Sequence, residues 1–464
     1  MASDPYVLPE ILAIANIHPF YVSNIKYPPD TKTVKAAIEC VKRDTEKVAL
    51  SPQNLLRKKD LYHVIDRLVN DLSPLNTYRR SCYTSTTGGG SGGTPLFFAT
   101  DVHENRRHRA HFGKFLRTTR IVEETDWILS VHFVGHLYRS LDLIAEICEM
   151  GGASVLGGGP YMSKPEVVST LINYHVNVLA GESSQIINVV HYISTLSREE
   201  RDRIHIQKII YSSEMMTPAQ RSFILEIMGT VKIYSIYGSA EAGPWAVGNP
   251  DITQGEDPEC LQDFIFDTRS MVVEILDPST TDAGISSTSD PCAMPDGEPG
   301  IIVQTSLHRL RNPLVRYVTG DLGSIHLLPE TARSMISEAD WEYLRVLRLY
   351  GRDRRFSFEW DGMYFEFESL AALLSREEYG VLQWQVILDR LDSSPRSTIE
   401  TRLFRSSHNS SLMSEESLSE RIMTFFNAYS GNANRLSVTF LDDRNKFVRS
   451  GTGDKIIKFV DRFN

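Results

Sequence analysis

A stretch of five glycines and several hydroxyl side chains, CYTSTTGGGSGGTPLFF, spans residues 82–98. Glycine has no Cβ, so the backbone N–H groups of such a loop can converge on an anion, and the hydroxyls add further donors. The pattern differs from a Walker loop because no Gly-Lys-Ser/Thr sequence closes it. By composition alone it fits a flexible connector equally well. Its place between a helical region and a continuing α/β core favours a phosphate-binding loop.

Two carboxylates lie near the ends of strand-like segments, where the sites of α/β proteins collect. Glu241 follows a Tyr-Gly pair in VKIYSIYGSAEAGPW (231–245), and Asp321 lies with Arg316 in PLVRYVTGDLGSI (313–325). Asp321 could accept hydrogen bonds from the hydroxyl pair of a sugar. Both residues also have ordinary explanations, since a strand-end glutamate is usually solvated and Gly-Asp pairs are common in turns.

Two basic features lie further along the chain. LYGRDRRFSF (349–358) is a basic cluster at an apparent domain boundary, and Lys455 follows a glycine-containing turn in SGTGDKIIKFVDRF. A lysine on such a turn can reach an anion. The ordinary explanation is a solvated connector in the first case and a surface lysine in the second.

The elements that must position these residues follow from the apolar pattern. Residues 32–50 and 58–72 have apolar side chains at helical spacing. From residue 126 to residue 238, short apolar runs alternate with helical segments. Strands that alternate with helices predict an α/β domain with parallel pairing.

The pattern changes from about residue 264, where β-rich segments surround a long polar loop, and a small α+β unit follows residue 350. The polar segment 405–420 is predicted to be a mobile insertion. We therefore predict an α/β protein with a large, multi-subdomain N-terminal domain and a small mobile C-terminal domain. Their predicted bounds are 1–350, with a β-rich subdomain at about 264–345, and 351–464.

The composition excludes several classes of protein. The 464 residues are 41% hydrophobic and 23% charged, with a net charge of -10, which is typical of a soluble protein without general affinity for nucleic acid or anionic membranes. No apolar run could span a bilayer and no signal peptide is recognisable, so we expect a cytoplasmic protein. Its five dispersed cysteines favour reduced thiols. A homodimer is the default expectation for the oligomeric state.

Taken in order, these motifs resemble those of the adenylate-forming superfamily. The series is the hydroxyl- and glycine-rich loop, Tyr-Gly-x-x-Glu, Tyr-x-Thr-Gly-Asp, Gly-Arg at the boundary and Gly-x-Lys near the end. Within that superfamily, SIYGSAEAGP, TSLHRLRNPLVRYVTGDLG and GDKIIKFVDRF resemble the phenylacetate-CoA ligase branch. The resemblance extends from about residue 80 to the C-terminus, and the helical residues before it are consistent with it but uninformative.

The resemblance implies that a carboxylate attacks the α-phosphorus of ATP, which gives an acyl-AMP and pyrophosphate, and that an acceptor then displaces AMP. It implies Mg²⁺ bound by Glu241, adenine against Tyr237, and ribose hydroxyls on Asp321. Arg352 would reach the ribose or the phosphates, and Lys455 would stabilise charge during adenylation. The nucleotide-binding residues implied are Ser85, Thr86, Thr87, Ser91, Gly92, Gly93, Thr94, Tyr237, Gly238, Ser239, Arg316 and Asp321.

For the acyl pocket, the resemblance implies His132 in VHFVGH, and Phe133 and Trp245 favour a small or aromatic acid. The ordinary alternative is that His132 has only a structural role. Members of the superfamily rotate the small domain between half-reactions, and the corresponding hinge would be Asp353 to Arg355. Such a rotation would withdraw Lys455 and admit the acceptor.

Three departures from the superfamily pattern leave alternatives open. The loop lacks the usual Thr-Thr-Gly-Lys core, and Ala240 stands where a threonine or serine is usual. The boundary segment also lacks its acidic pair, so CoA thiol and a small amine are nearly equal candidates for the acceptor. A different class is a nucleotide-binding protein of the same fold without catalysis, although the presence of both Glu241 and Lys455 argues against it. A P-loop kinase would need a lysine within the loop, which has none.

Overall fold

The computed structural model describes residues 4–41, 50, 53–86, 97–135, 137–213, 215–253, 262–278, 292–352, 357–361, 363–391, 396–406, 412–451 and 455–462. The α-helices are α1 (Leu8–Ala15), α2 (Thr31–Val41), α3 (Lys58–Asn70), α4 (Val102–Thr118), α5 (Ser140–Met150), α6 (Lys164–Asn173), α7 (Ser183–Ser194), α8 (Arg198–Arg201), α9 (Pro218–Met228), α10 (Pro250–Thr253), α11 (Glu338–Trp341), α12 (Phe367–Leu374) and α13 (Glu415–Phe425).

The strands are β1 (Cys82–Thr86), β2 (Phe97–Asp101), β3 (Trp127–Ser130), β4 (Val134–Gly135), β5 (Tyr138–Arg139), β6 (Ser154–Gly157), β7 (Val178–Glu182), β8 (Lys208–Ser212), β9 (Lys232–Ser239), β10 (Gly243–Gly248), β11 (Gln262–Asp267), β12 (Met271–Leu276), β13 (Gly300–Ser306), β14 (Tyr317–His326), β15 (Leu344–Arg352), β16 (Ser357–Trp360), β17 (Met363–Glu366), β18 (Val381–Arg390), β19 (Ser397–Arg405), β20 (Leu436–Phe440) and β21 (Phe459–Asp461).

The central sheet has 11 strands in the order β12-β13-β14-β15-β11-β10-β9-β8-β7-β3-β6. The pairs from β9 to β6 are parallel. The pairs from β12 to β9 are antiparallel. The change follows from the connections, because a helix crosses over between most strands before β9, whereas β10 returns after a tight turn. Strand β9 is therefore where the parallel half meets the antiparallel half.

Helices cover both faces of the parallel half. Side chains alternate between two cores along its strands: Leu129 and Ile209 pack with α6, α7 and α9. Ile128 and Ile210 pack with α4 and α5. Strand β7 is buried along its whole length, as expected for a parallel strand between two helical layers. The carboxyl ends of these strands meet at one edge of the sheet, which places the residues after β8 and β9 side by side.

The antiparallel half packs against the N-terminal region. Helix α3 and strand β2 contribute Leu61, Ile65 and Phe98 to a core with Phe264 and Phe266 of β11. Strands β1 and β2 form a hairpin in which Tyr83 pairs with Thr100 and Thr86 pairs with Phe97. This hairpin holds the two ends of the glycine-rich loop together.

The C-terminal part contains a second sheet in the order β20-β19-β18-β21 and a separate hairpin of β16 and β17. It docks on the helical layer of the large sheet, because Leu382, Phe404, Phe447 and Ile456 belong to the same buried cluster as α6, α7 and α9. Ser222 of α9 also donates a hydrogen bond of 2.8 Å to Glu377. This docking brings the segment before β21 to the edge of the large sheet.

The α/β fold predicted from the alternating pattern is confirmed. Strands β3, β6, β7, β8 and β9 occupy the segments predicted for them, whereas the short β4–β5 hairpin was not predicted. The prediction that residues 405–420 form a mobile insertion is wrong for the second half of this segment. Helix α13 begins there at Glu415, and its N-cap Ser414 accepts a hydrogen bond from Ser417. Leu418 of this helix is buried. The polar residues there are those that favour a helix start. Strands β11 to β15 join the same sheet as the parallel strands. The predicted domain bounds stay a prediction.

No helix within the described residues is both long and apolar enough to cross a membrane. The cysteines of the described part of the chain, Cys40, Cys82, Cys148 and Cys292, are free thiols.

Two lysines at paired positions of β8 and β9 test how the sheet is held. Lys208 lies 2.9 Å from Asp126, and the exposed fractions of the two side chains are 9% and 1%. Lys232 lies 2.6 Å from Asp251, with exposed fractions of 56% and 41%. We expect Lys208→Met to lower the free energy of unfolding by about 3–5 kcal/mol, because it leaves a buried carboxylate without its cation. The matched Lys232→Met should cost under about 1 kcal/mol. Urea unfolding measures both, and equal costs would contradict the assignment of the buried pair.

Candidate functional site

A cavity of about 330 Å³ lies at the carboxyl edge of the parallel strands. Strands β8 and β9, helices α4 and α5, the β1–β2 hairpin and Lys455 form its walls. The sequence-predicted residues that line it are Ser85, Thr86, Gly238, Ser239, Glu241 and Lys455. The structure thus brings together, in one cavity, residues from the first hairpin, the β9–β10 turn and the C-terminal segment.

Glu241 lines this cavity and is only 4% exposed. Its Oε1 accepts hydrogen bonds from the hydroxyls of Tyr62 at 2.7 Å and Tyr317 at 3.2 Å. The ammonium of Lys58 lies 3.8 Å from the same oxygen. A buried carboxylate is costly unless it is hydrogen-bonded, and these donors satisfy one of its two oxygens. Among the described residues, none donates a hydrogen bond to Oε2 within normal distance.

Lys455 reaches the same cavity from the C-terminal part. Its Nζ donates to the hydroxyl of Ser213 at 3.0 Å and lies 5.1 Å from the ring centroid of Tyr138. Its backbone is held to Ser450, whose N–H donates to the Lys455 carbonyl at 2.8 Å. A cation is therefore held at the end of β8, on the wall of the cavity that Glu241 also lines.

Two predicted nucleotide-binding residues lie beside the cavity and contact each other. The hydroxyl of Tyr237 donates a 2.6 Å hydrogen bond to Asp321, and its ring packs against Trp245 and Phe264. The backbone of Arg352 is the register partner of Asp321 across β14 and β15. These three sequence motifs thus converge at one place next to Gly238.

Two glycines shape the β9–β10 turn. A Cβ at Gly238 would lie 2.6 Å from Cα of Pro244, and a Cβ at Gly243, whose φ is +75°, would lie 2.8 Å from Cε1 of His108. Neither position tolerates a side chain, since real Cβ atoms do not approach so closely. The hydroxyl of Ser239 accepts the Ala242 N–H at 3.1 Å and closes the turn. The glycines therefore bring the backbone before Glu241 directly onto the cavity.

His132 is placed one layer behind the cavity. It is fully buried, with Nδ1 3.0 Å from the Ser130 hydroxyl and Nε2 3.1 Å from the Ser212 hydroxyl. Burial, with a smaller contribution from the charge of Lys455, lowers the pKa of His132 to about 3. The ring is therefore neutral and orients Ser212, which lines the cavity.

Three predicted site residues do not line this cavity. Arg316 is 2% exposed, and its guanidinium is 3.1 Å from Glu274 and donates to the Gln53 carbonyl. It is held in an ion pair between strands and does not line the cavity. Trp245 and Phe133 are buried in aromatic packing and do not line it either. Their hydrophobic side chains are satisfied by these contacts.

Part of the prediction lies outside the described residues. This applies to the loop residues Thr87, Ser91, Gly92, Gly93 and Thr94 and to the hinge at Asp353 to Arg355. The backbone of Arg352 is described, whereas its side chain is not.

Sequence reasoning missed several residues that the structure brings to the site. Helix α3 supplies Lys58 and Tyr62 to Glu241, and Tyr317 comes from the strand that also carries Asp321. Arg309 lines the cavity as well. Lys58 and Tyr62 are one helical turn apart and therefore share a face, but any amphipathic helix has such pairs. Tyr317 is the tyrosine of the Tyr-x-Thr-Gly-Asp motif quoted above, and its hydroxyl could have suggested that it donates a hydrogen bond at the site.

Comparison with known proteins gives two kinds of similarity. No model of a known protein family matches the chain. A phenylacetate-coenzyme A ligase of Aromatoleum evansii is 32% identical over 126 residues, which cover 27% of this chain and 24% of that protein. One of Thermus thermophilus is 27% identical over 179 residues, covering 37% and 36%. The matched segments span about a quarter to a third of these relatives.

Solved structures match over nearly the whole chain. The structure of 2-hydroxyisobutyryl-CoA ligase in the postadenylation state with 2-HIB-AMP is 18% identical, with a TM-score of 0.64, and covers 97% of this chain and 87% of that chain. The same ligase with 2-HIB-AMP and CoA in the thioesterification state is 18% identical, with a TM-score of 0.53 and the same coverage. At this identity the likeness establishes the fold.

Buried histidines give a pH test of the packing around the site. Burial lowers the pKa of His18, His108 and His132 to about 3, and that of His308 well below 6.5. Between pH 3 and 6.5 the unfolded chain therefore binds more protons at these sites, so stability falls as pH drops below 6.5. The limit is about 1.4 kcal/mol per pH unit per histidine. Burial raises the pKa of Glu104 to about 7, so this single group makes the protein more stable as the pH falls. Its contribution opposes that of the histidines.

We expect the free energy of unfolding, measured with urea between pH 7.5 and 5, to decrease toward acid. In the variant His132→Gln, the free energy of unfolding should decrease less steeply with falling pH. The difference in slope corresponds to at most one bound proton, because the variant lacks one group with a lowered pKa. An unchanged slope in this variant would contradict a neutral His132 in the folded protein.

Proposed function

Because the chain has the fold of the adenylate-forming ligases and shares part of its sequence with phenylacetate-coenzyme A ligases, we propose that it activates a carboxylic acid with ATP. In the first half-reaction the acid's carboxylate oxygen bonds to the α-phosphorus of ATP and pyrophosphate leaves. In the second, an acceptor attacks the acyl carbon, AMP leaves, and the acceptor's proton is released.

The observation that carries this proposal is the meeting of Glu241 and Lys455 at one cavity. These residues come from the β9–β10 turn and from the segment before β21, and only the docking of the C-terminal part brings them together. Ser85 and Thr86, at the start of the glycine-rich loop, line the same cavity. An acidic group, a cation and hydroxyl donors around one space are what phosphoryl transfer requires, because it depends on positioning and charge neutralisation.

Each residue has a proposed role. Lys455 donates hydrogen bonds to the α-phosphate and the attacking carboxylate, whose combined negative charge it offsets. The loop that begins at Ser85 holds the β- and γ-phosphates. Tyr237 stacks on adenine, and Asp321 accepts hydrogen bonds from the ribose hydroxyls, with Arg352 close by.

Glu241 fits a magnesium ligand. Mg²⁺ prefers oxygen ligands and is usually held by one or two carboxylates together with substrate phosphates and water. The described residues contain no cluster of three or more His, Cys, Asp or Glu side chains that could hold a metal without substrate. Glu241 is the carboxylate on the cavity wall, with Oε1 fixed by Tyr62 and Tyr317. When bound there, Mg²⁺ would offset the charge of the phosphates.

A thiol is the proposed acceptor, with CoA as the first candidate, since the relatives matched in sequence are named as coenzyme A ligases. One observation keeps a small amine as a second candidate. The segment GRDRRFSFEWDGMYFEFESL lacks the acidic pair that the resemblance leads us to expect after Gly-Arg. A rotation of the C-terminal part at 353–355 would admit either acceptor once Lys455 withdraws.

A matched lysine pair tests the first half-reaction. We expect acid-dependent exchange of pyrophosphate into ATP, measured over a broad panel of acids with Mg²⁺. Lys455→Ala should lower the exchange rate by about 100-fold or more, because it removes a cation that acts on the developing charge. The control Lys446→Ala, on an exposed lysine of the same part of the chain that pairs with Asp442, should change it less than about 2-fold.

The result that would contradict adenylation is the absence of exchange with every acid in the panel. If calorimetry still detected ATP binding to that protein, the chain would be a nucleotide-binding protein without catalysis, for which Ala240 in the β9–β10 turn is the sequence indication.

A second screen identifies the acceptor. Purified protein, ATP, Mg²⁺ and an acid active in exchange are incubated with CoA or with a panel of amines, and products are detected by mass spectrometry. We expect a CoA thioester as the main product. An amide formed at a higher rate than the thioester would reverse the order of the two candidates.

A further inference from the structure

Arg309 is a buried cation on the cavity wall that the proposed reaction leaves without a role. It lies in the segment after β13 and is 3% exposed. One terminal nitrogen, Nη1, donates to the hydroxyl of Thr100, and the guanidinium lies 5.0 Å from the ring centroid of Phe98. Its Nε has no hydrogen-bond partner among the described residues.

The guanidinium of Arg309 differs from the other two guanidiniums that line the cavity. Arg109 and Arg139 both pair with Asp142, at 3.1 and 2.9 Å, and Arg109 also pairs with Glu146. In the described part of the chain, no carboxylate lies within 4 Å of Arg309. Removing a charge from water without a partner is costly, so an unpaired buried guanidinium points to an anion that arrives from outside.

Two carboxylates, Glu104 and Glu241, act on Arg309 electrostatically, but neither forms an ion pair with it among the described residues. The two oxygens of Glu104 accept the backbone N–H groups of Leu310 and Arg311. Oε1 of Glu241 accepts the two tyrosine hydroxyls described above. Burial, together with Asp101, raises the pKa of Glu104 to about 7, so its charge is only partly present at neutral pH. Burial lowers the pKa of Arg309 to about 10, which leaves the guanidinium protonated.

Arg309 shares the cavity wall with polar side chains. Asn105 and His108 of α4 line the same cavity, and His108 is near enough for the charge of Arg309 to act on it. Gly243 has no side chain to cover the guanidinium, and a Cβ there would lie 3.6 Å from Nη2 of Arg309. Burial, with the charge of Arg309, lowers the pKa of His108 to about 3, so that ring brings no charge. Asn105, His108 and Arg309 are named here the polar recess.

The recess is separated from the expected phosphate site. Arg309 contacts Thr100, which pairs with Tyr83, whereas Ser85, where the proposed phosphate loop begins, lies two residues further along β1. Two residues along a strand correspond to about 7 Å. We therefore treat an anion at Arg309 as a group other than the β- and γ-phosphates.

We propose that the acid activated in the proposed reaction is a small dicarboxylate, whose second carboxylate binds Arg309 in the polar recess. This inference rests on the proposed function. A cavity of about 330 Å³ lies at the small end of ligand pockets and favours a short acid. Arg309 would donate to the second carboxylate through Nη2, while the first carboxylate faces Lys455. A neutral chain end of the same size would leave the buried guanidinium unpaired, which disfavours monocarboxylic acids.

The test compares malonate, succinate and glutarate with their monoamides, which have the same length but lack the second charge. We expect the wild-type chain to exchange pyrophosphate with at least one dicarboxylate at a kcat/KM about 10-fold or more above its monoamide. Arg309→Gln should lower kcat/KM for that dicarboxylate by about 10- to 100-fold and for the monoamide by less than about 3-fold. Arg309→Lys, which keeps the charge, should recover part of the preference.

The control is Arg311→Gln, which removes the same charge from the same segment at a residue paired with Asp101. It should keep the dicarboxylate preference. An equal loss for dicarboxylate and monoamide in Arg309→Gln would make Arg309 structural. If Arg309→Gln instead raised KM for ATP and left the acid preference unchanged, the anion bound by Arg309 would belong to the nucleotide. Either result overturns the proposal.

A binding measurement separates this inference from the proposed function. Calorimetric titration of the same dicarboxylates, without ATP, needs no turnover. We expect binding to the wild-type chain that Arg309→Gln abolishes, even if pyrophosphate exchange is absent with every acid. Failure of all three dicarboxylates to bind or exchange would overturn the dicarboxylate assignment, while exchange with a monocarboxylic acid would leave adenylation intact.

Discussion

The hydrogen bonds at Glu241 connect the parts of the chain on which the site depends. This carboxylate is buried, and its Oε1 accepts hydroxyls from Tyr62 of α3 and Tyr317 of β14. A charge in this position is tolerated only because these donors replace water. The same contacts hold the N-terminal helix and the antiparallel strands against the β9–β10 turn. The carboxylate therefore has a fixed position at the carboxyl edge of the parallel strands, with its second oxygen available to a ligand.

The other side chain of the proposed reaction, Lys455, belongs to a part of the chain that docks through apolar burial. Leu382, Phe404 and Ile456 of the C-terminal part lie in one buried cluster with helices α6, α7 and α9. Burial of apolar surface is not directional, so it can hold two parts together and still allow them to separate as units. A turn at Ser450 then presents the ammonium to Ser213 at the end of β8. This arrangement suits the role proposed for Lys455, which acts in the first half-reaction and withdraws for the second.

The cations around the cavity fall into two groups with different physical tasks. Arg109 and Arg139 lie over the ring of Tyr83, at 4.6 and 4.2 Å from its centroid, and share Asp142. Their charges are offset within the protein, so they build the wall. The charge of Arg309 is not offset by an ion pair among the described residues, although this residue is only 3% exposed and lies on the cavity wall. That difference is the basis for proposing that Arg309 recognises a ligand, whereas Arg109 and Arg139 support the fold.

The sequence by itself determined the local features: the alternation of strands and helices, the glycine positions of the β9–β10 turn, and the order of the motifs around Glu241, Asp321 and Lys455. These depend on backbone conformation and on neighbours along the chain, which periodicity and residue type encode directly. Arg316 and Trp245 were expected at the site but do not line the cavity, because residue type does not reveal which partner a side chain meets.

Only the tertiary structure decided that Glu274 holds Arg316, that Lys58 and Tyr62 reach Glu241, and that Arg309 faces the cavity without an ion pair. Each of these contacts joins elements far apart in the sequence. They are set by strand order and by the packing of helices on the sheet, and a buried charge acquires its role from the partners that this packing provides or withholds.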